Sequence, residues 1–336
     1  MLDLFDIAII GGGPGGLFAA YYAGLRGMRV LILDSLPTLG GQLATLYPEK
    51  YIYDMPGFPK ILARDLAANM VEQAMQYEPT VCLEETVTGL CSDGEIVTLT
   101  TNKAVHHARV ALITAGVGAF EPKTLDVPGV RELAGKGVDH YVNDKSLYDG
   151  KRVVVVGGGD SAIDWTLNLA GNASEVILVH RRDAFRAHEE SVIACTKNPR
   201  ITFRLFREVK EVHGTDRVEA VTLMHNKDLH EETIACDAVL LFLGFSADLG
   251  PIKSWGLTIS KNSIAVDEHM QTTIPRVFAA GDVVWHVGKI KLIATGVGEA
   301  AIAVNFAKNT LDPKAMVFPG HSSEINDPTR TVSVEI

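Results

Sequence analysis

Paired cysteines are missing from this chain. The four cysteines present are Cys82, Cys91, Cys195 and Cys236, and no two of them stand in a CxxC. Such spacing argues against a secreted disulfide framework and against a zinc site built on paired cysteines. A positive charge balance is missing as well. Thirty-one Lys and Arg face 41 Asp and Glu, for a net charge of −10. The chain therefore lacks the basic footprint of a general nucleic-acid or anionic-membrane binder. No apolar run approaches the roughly 18 residues that span a bilayer. The opening MLDLFD is acidic where a secretory signal would be basic. Charged residues make up 21% and apolar residues 47%, which excludes global disorder. The expectation is a soluble protein of a reducing, cytoplasmic compartment. Its 336 residues suffice for about two domains of roughly 150 residues.

What is present is glycine in two special places. An apolar run, LFDIAII at 4–10, leads into GGGPGG, a helix-forming stretch and a second strand, MRVLILD, ending in Asp34. A second unit of the same kind begins at Lys151: KRVVVV, GGGDSA, IDWTLNLAGNA, SEVILVHRR. Residues 81–90 and 95–100 read as strands around a Ser-Asp-Gly turn, and 108–114 and 238–243 read as buried strands. Residues 277–282 read as a strand ending in Gly-Asp, and 294–308 as a helix with small residues on one face. This late strand and helix are surplus to the second unit and suit the first. The fold class expected is α/β, with two Rossmann-like, three-layer ββα dinucleotide-binding domains, one inserted in the other. Residues 1–118 and 246–336 form one domain and 119–245 the other.

In the first loop Gly11, Gly13 and Gly16 hold the three glycine places of GxGxxG, with Gly15 beside them. The first permits the tight turn, the second lets a pyrophosphate approach, and the third lets the helix pack on the strand. Asp34, closing the second strand, suits an unphosphorylated adenosine ribose, as in FAD or NAD, and would repel a 2′-phosphate. In the second loop Gly157 and Gly159 are kept, Asp160 and Ser161 open the helix, and Ala162 takes the third place. Its second strand ends in His180-Arg181-Arg182, with Arg186 following. Guanidinia there are what a 2′-phosphate needs, so NADPH is expected in place of NADH. Two nucleotides in one chain imply electron flow between them, for which a flavin is a natural relay.

Several longer motifs then carry a family resemblance. IIGGGPGGLFAAYYAGLRGMRVLILD, LGGQLATLYPEKYIYDMPGFP, VVVVGGGDSAIDW, VHRRDAFRAHE, VFAAGD, KIKLIATGVGEA and PGHSS together resemble the thioredoxin-reductase-like ferredoxin–NADP⁺ reductases over essentially the whole chain. The resemblance implies FAD and NADP(H) as cofactors and a homodimer. It places Gln42 on the flavin and Tyr47 against the isoalloxazine face. Val87 falls where the family's backbone meets adenine, Phe120 flanks the FAD, and Asp282 binds its ribitol region through a hydroxyl. The tail Pro319-Gly320-His321-Ser322-Ser323 covers the opposite flavin face. There His321 stacks or supplies a proton, and Ser322 or Ser323 reaches N5 or a ring carbonyl.

The implied activity is hydride exchange between NADPH and flavin N5, with one-electron exchange to ferredoxin or flavodoxin. Thioredoxin reductases carry a redox CxxC just before the inserted domain's first strand. The corresponding 138–144 here, VDHYVND, holds no cysteine, so thiol–disulfide exchange has neither attacker nor resolving thiol. No role is assigned to His140. Reduction of another acceptor, such as a quinone, flavin or iron complex, stays open at this point. A non-catalytic FAD-binding redox sensor also stays open. An acidic carrier would be repelled by a net charge of −10, so docking calls for a local basic patch, with Lys50, Lys60, Arg64, Lys289 and Lys291 as its candidates.

Overall fold

In the computed structural model, which describes residues 3–116, 119–142, 144–318 and 320, the chain builds two parallel sheets of like design. Leu4–Ile10 is the central strand of the first. Its β-branched side chains suit a sheet covered on both faces, and Ile7, Ala8 and Ile9 are fully buried. Val30–Leu33 lies parallel on one side, followed outward by Thr80–Cys82. Val105–Ile113 lies parallel on the other side. The antiparallel strands Val97–Thr101 and Val87–Ser92 fold beyond its first half. Val277–Ala279, far later in the chain, pairs parallel with Ala111–Ile113.

The helices among the described residues are α1 (Pro14–Leu25), α2 (Gln42–Thr45), α3 (Ala63–Met75), α4 (Asp160–Leu169), α5 (Glu189–Lys197) and α6 (Ile293–Leu311). Helices α1, α3 and α6 cover one face of the first sheet. Alanines 19, 20 and 23 of α1 and 300, 303 and 307 of α6 are buried in this layer, and their small side chains let the two helices approach closely. Leu249, Ile252, Trp255 and Ile264 pack on the opposite face. Each fully buried Ile or Leu stabilises by about 1.5–3 kcal/mol, so these layers fix the positions of the loops they carry.

The second sheet repeats the plan around Arg152–Gly157. Glu175–His180 and Ile201–Leu205 lie on one side, Ala238–Phe242 and Val138–Asp139 on the other, all parallel. Helices α4 and α5 cover one face. A three-stranded antiparallel sheet, Arg207–Gly214, Val218–His225 and Glu231–Ala235, covers the other. Between the two sheets the chain crosses twice, and the crossing strands Ala119–Pro122 and Phe245–Asp248 pair with each other. Lys50 adds a direct tie, its Nζ standing 2.8 Å from an Asp164 carboxylate oxygen on α4.

Two elements differ from the sequence reading. The strand expected over 81–90 is broken between Cys82 and Val87. Glu84 turns there at φ 52°, the Glu85 N–H bonds the Asp34 carbonyl, and the Glu85 carboxylate turns inward to 6% exposure. The strand expected over 277–282 ends at Ala279, and Gly281–Val283 forms a 3₁₀ turn.

Candidate functional site

Both glycine loops lie at the carboxyl end of a central strand and open onto a helix. Gly11 has φ 109°, and a Cβ there would stand 2.7 Å from the Thr114 carbonyl oxygen. Only glycine tolerates that geometry. A Cβ on Gly16 would collide with the Gly11 carbonyl oxygen, which is the close helix–strand contact expected of the third glycine. Gly13 is different, for the atom nearest a Cβ there is the Gly41 Cα at 3.9 Å. The loop surface at Gly13 is open to a ligand. Gly13 and Gly159 begin α1 and α4 with no side-chain cap. The first N–H groups of both helices therefore remain for an anion, helped by the helix dipole.

Asp34 is buried at the end of its strand. Its two carboxylate oxygens accept the Gly12 N–H at 2.5 Å and the Leu36 N–H at 2.8 Å. Burial pushes its carboxyl above the usual range, against the pull of those two bonds. The group is thus fixed beside the first loop, with lone pairs left for ribose hydroxyls.

Gln42, Tyr47 and Asp282 gather near this loop. A Cβ on Gly41 would approach the Gly13 Cα at 2.8 Å, and one on Gly116 would approach the Gln42 Nε2 at 3.4 Å. The Tyr47 hydroxyl donates to the Gln42 Oε1 at 3.5 Å. Burial, then the Asp282 and Asp54 carboxylates, push the Tyr47 phenol up to about 12. Asp282 sits in the Gly281–Val283 turn. Burial raises its carboxyl, while the Lys289 and Lys291 ammonium groups oppose the rise. Gly15 faces the backbone of Gly296 near the start of α6, and Gly296 in turn packs on Gly281. Val87 is buried at the start of its strand, two residues beyond the Glu85 amide that bonds Asp34. Phe120 lies on the crossing strand Ala119–Pro122, and its side chain falls outside the described residues. His321, Ser322 and Ser323, with Pro319, also lie outside them.

Sequence reasoning missed the residue that ties this region together. Glu299, on the buried face of α6, is 5% exposed. Its Oε2 accepts the Gly281 N–H at 2.8 Å and its Oε1 bonds the His286 Nε2 at 2.9 Å. Lys289 Nζ donates to both oxygens at 2.7 Å. The signal was an acid within GVGEAA, a stretch otherwise small and apolar. One consequence is a correction: the Lys289 side chain is 5% exposed and committed to Glu299, so it is withdrawn from the docking candidates. Lys50 is bound to Asp164 and Arg64 to Glu49. Lys60 and Lys291 are exposed.

In the second loop a Cβ on Gly158 would collide with the His180 ring. That ring stacks on Phe185, with centroids 5.1 Å apart. The Arg186 N–H donates to the Gly158 carbonyl at 2.7 Å, and the Asp160 carboxylate accepts the His188 N–H at 3.1 Å. These bonds fold 181–188 back onto the glycine loop. Ser161, on the first turn of α4, is exposed beside it. An open hollow of about 470 Å³ results, lined by Asp160, Phe185, Arg186 and His188. Arg181, Arg182 and Arg186 are exposed. Among the described residues, none of the three forms an ion pair with Asp183, Glu189 or Glu190.

All four cysteines are free. Burial pushes the Cys195 thiol up to about 11 and the Cys236 thiol up to about 12, so neither offers a thiolate. His140 carries a buried Nδ1 without a partner among the described residues, and burial lowers its pKa. No described helix is long and apolar enough to cross a membrane.

Comparison with known proteins agrees with this geometry. Residues 5–300 match the family "Pyridine nucleotide-disulphide oxidoreductase". A protein of Shouchella clausii named "Ferredoxin--NADP reductase 2" is 52% identical, with 96% of this chain and 98% of that protein covered. One of Geobacillus kaustophilus named "Ferredoxin--NADP reductase" is 49% identical over the same shares. Among solved structures, thioredoxin reductase from Lactococcus lactis superposes with a TM-score of 0.79 at 28% identity, covering 91% of this chain and 99% of that one. Thioredoxin reductase from T. acidophilum gives 0.80 at 28% identity, covering 91% and 98%. With the family matched over residues 5–300 and relatives about half identical over nearly the whole length, the chain belongs to the pyridine nucleotide-disulphide oxidoreductase family, beside its ferredoxin–NADP reductase members.

Proposed function

We propose that the protein is an FAD-dependent ferredoxin–NADP⁺ oxidoreductase. The observation that carries this reading is a pair of uncapped glycine-loop helices whose neighbouring strands end in opposite charge. Asp34 stands beside one, and the three exposed arginines Arg181, Arg182 and Arg186 stand beside the other. The names of the near relatives support the same assignment. In this reading residues 1–118 and 246–336 bind FAD, and 119–245 bind NADP(H).

The glycine-loop amides of α1 receive the FAD pyrophosphate, Asp34 accepts the adenosine ribose hydroxyls, and Asp282 accepts a ribitol hydroxyl. Tyr47 offers a flat neutral ring to the isoalloxazine and holds its proton through the physiological range. Gln42 supplies an amide at the same edge. Arg181, Arg182 and Arg186 hold the NADPH 2′-phosphate with charge-assisted bonds. When bound, FAD supplies the relay between a two-electron hydride donor and a one-electron carrier. The hydride step needs no general base, so these side chains bind and orient. His321 and Ser322 complete the reading as cover for the second flavin face. Ferredoxin or flavodoxin is the carrier, and the working form is a cytoplasmic homodimer.

The test is anaerobic mixing of the yellow protein with NADPH, then with oxidised ferredoxin, while the flavin band is followed. Bleaching by NADPH and recovery on adding ferredoxin are expected. Bleaching without recovery by ferredoxin or flavodoxin would overturn the carrier assignment. No bleaching would overturn the enzyme.

A further inference from the structure

We propose that Cys82, Glu85 and His106 form a zinc-binding site that ties together the strands beside Asp34. The three come from separate places: Cys82 ends Thr80–Cys82, Glu85 lies in the turn that follows, and His106 is near the start of Val105–Ile113. Each offers one ligand atom, and all of these atoms lie within 4.8 Å of one another. Two further strands separate Cys82 from His106 in the sheet order. Sequence spacing therefore hid the group, and the absence of a CxxC does not bear on it.

The donor chemistry selects the ion. A thiolate, an imidazole and a carboxylate form a borderline-soft set that suits zinc and disfavours magnesium or calcium, which prefer oxygen alone. Tetrahedral zinc bonds of about 2.0–2.3 Å put ligand atoms roughly 3.3–3.8 Å apart. To reach those spacings the widest pairs close by about an ångström, and Glu85 and His106, now hydrogen-bonded, open by about half an ångström. Glu85 is already aimed, since its Oε1 accepts from the Thr101 hydroxyl at 2.6 Å and bonds the His106 Nε2 at 2.7 Å. With zinc present, Thr101 remains the hydrogen-bonding partner that orients the carboxylate. The Cys82 thiol proton passes to solvent as the Zn–S bond forms, and His106 moves its proton from Nε2 to Nδ1 through solvent, so that Nε2 gives up its contact with Glu85 and turns its lone pair to the metal. Water fills the fourth position. The site is reachable, for the His106 side chain is 17% exposed and that of Glu85 8%.

Two of the ligands bracket Asp34. The Asp34 N–H donates to the Cys82 carbonyl at 3.0 Å, and the Glu85 N–H donates to the Asp34 carbonyl at 2.9 Å. An ion at this corner braces the main chain on both sides of that carboxylate. A buried carboxylate satisfied by hydrogen bonds alone would leave the corner indifferent to zinc.

The test uses the FAD-loaded protein after chelator treatment and desalting, titrated with zinc chloride by equilibrium dialysis. One equivalent per chain is expected to bind tightly and to raise the melting temperature, since an ion that binds only the folded state stabilises it. Cys82→Ser and His106→Ala should each weaken that equivalent by at least about tenfold. His106→Cys keeps a ligand and should retain it. Because these variants disturb Glu85, ¹¹³Cd NMR of the unmutated protein with cadmium chloride supplies a reading free of substitution. A resonance shifted by one thiolate is expected. No stoichiometric equivalent, a cadmium signal from oxygen and nitrogen ligands only, or unchanged affinity in both Cys82→Ser and His106→Ala would each overturn the proposal.

Discussion

At the scale of single residues, the proposed function has charge at the two strand ends decide which nucleotide each loop takes. A charge-assisted bond to phosphate is worth about 1.5–3 kcal/mol, and 1.4 kcal/mol is a factor of ten. Replacing both Arg181 and Arg182 by Ala should therefore lower kcat/KM for NADPH by about 100-fold or more, with the NADH value within about threefold. Steady-state kinetics with both donors checks this, and an undiminished NADPH preference would falsify the 2′-phosphate assignment. Tyr47 bears on pH. Its phenol is raised to about 12, so the folded protein holds that proton more tightly than the unfolded chain, whose phenols ionise near 10. The stability this contributes is present below about pH 10 and is lost as pH rises toward 12. Tyr47→Phe should abolish that alkaline loss and leave the rate profile between pH 6 and 9 unshifted, as pH-jump melting and turnover would show. A new inflection in that range would mean that Tyr47 gives up a proton. The glycines and Asp34 were legible from sequence because turn geometry and a strand-end acid restrict residue type. The Glu85–His106 contact was not, because only the three-dimensional fold brings those side chains together.

At the scale of elements, α6 is held at the site by ions as well as by packing. The side chains of Glu299 and Lys289 are both 5% exposed and bonded to each other. Removing one partner of such a pair strands a buried charge and costs about 3–5 kcal/mol, whereas replacing both by apolar groups is often nearly neutral. Glu299→Ala should thus lower the melting temperature sharply and speed FAD loss on dilution. The double change Glu299→Leu with Lys289→Met should recover most of the melting temperature. It should not recover FAD retention, because the Gly281 N–H still lacks the acceptor that sets the turn bearing Asp282. Equal recovery of both would show the clamp to be purely structural. Helix α6 itself was legible from its small-residue face. The break at 83–86 was not, because apolar alternation across 81–90 says nothing of a carboxylate that must turn inward to its partners.

At the scale of the whole molecule, the net charge of −10 sets the terms on which an acidic carrier can approach. Long-range repulsion slows encounter, so productive docking has to rely on a local patch of opposite sign. The structure narrows where that patch can be. Lys50 and Arg64 are engaged with Asp164 and Glu49, and the Lys289 side chain is buried against Glu299. Lys60 and Lys291 remain exposed, and Lys291, with Lys261 set over the Trp285 ring at 4.9 Å, lines a hollow of about 550 Å³ next to the Asp282 turn. Val287 beside it is 90% exposed, an apolar surface of the kind that a partner covers. The sequence ranked Lys289 and Lys291 alike, and only their burial separates them. Lys291→Glu should raise the apparent KM for ferredoxin several-fold at low ionic strength. At about 1 M salt, where charges are screened beyond roughly 3 Å, the difference should vanish. NADPH-dependent reduction of a small neutral dye should stay within about twofold throughout, because such an acceptor has no charge to steer. A loss of dye reduction equal to the loss of ferredoxin reduction would place the effect of Lys291 on Asp282 and the flavin site, and would remove it from the docking surface.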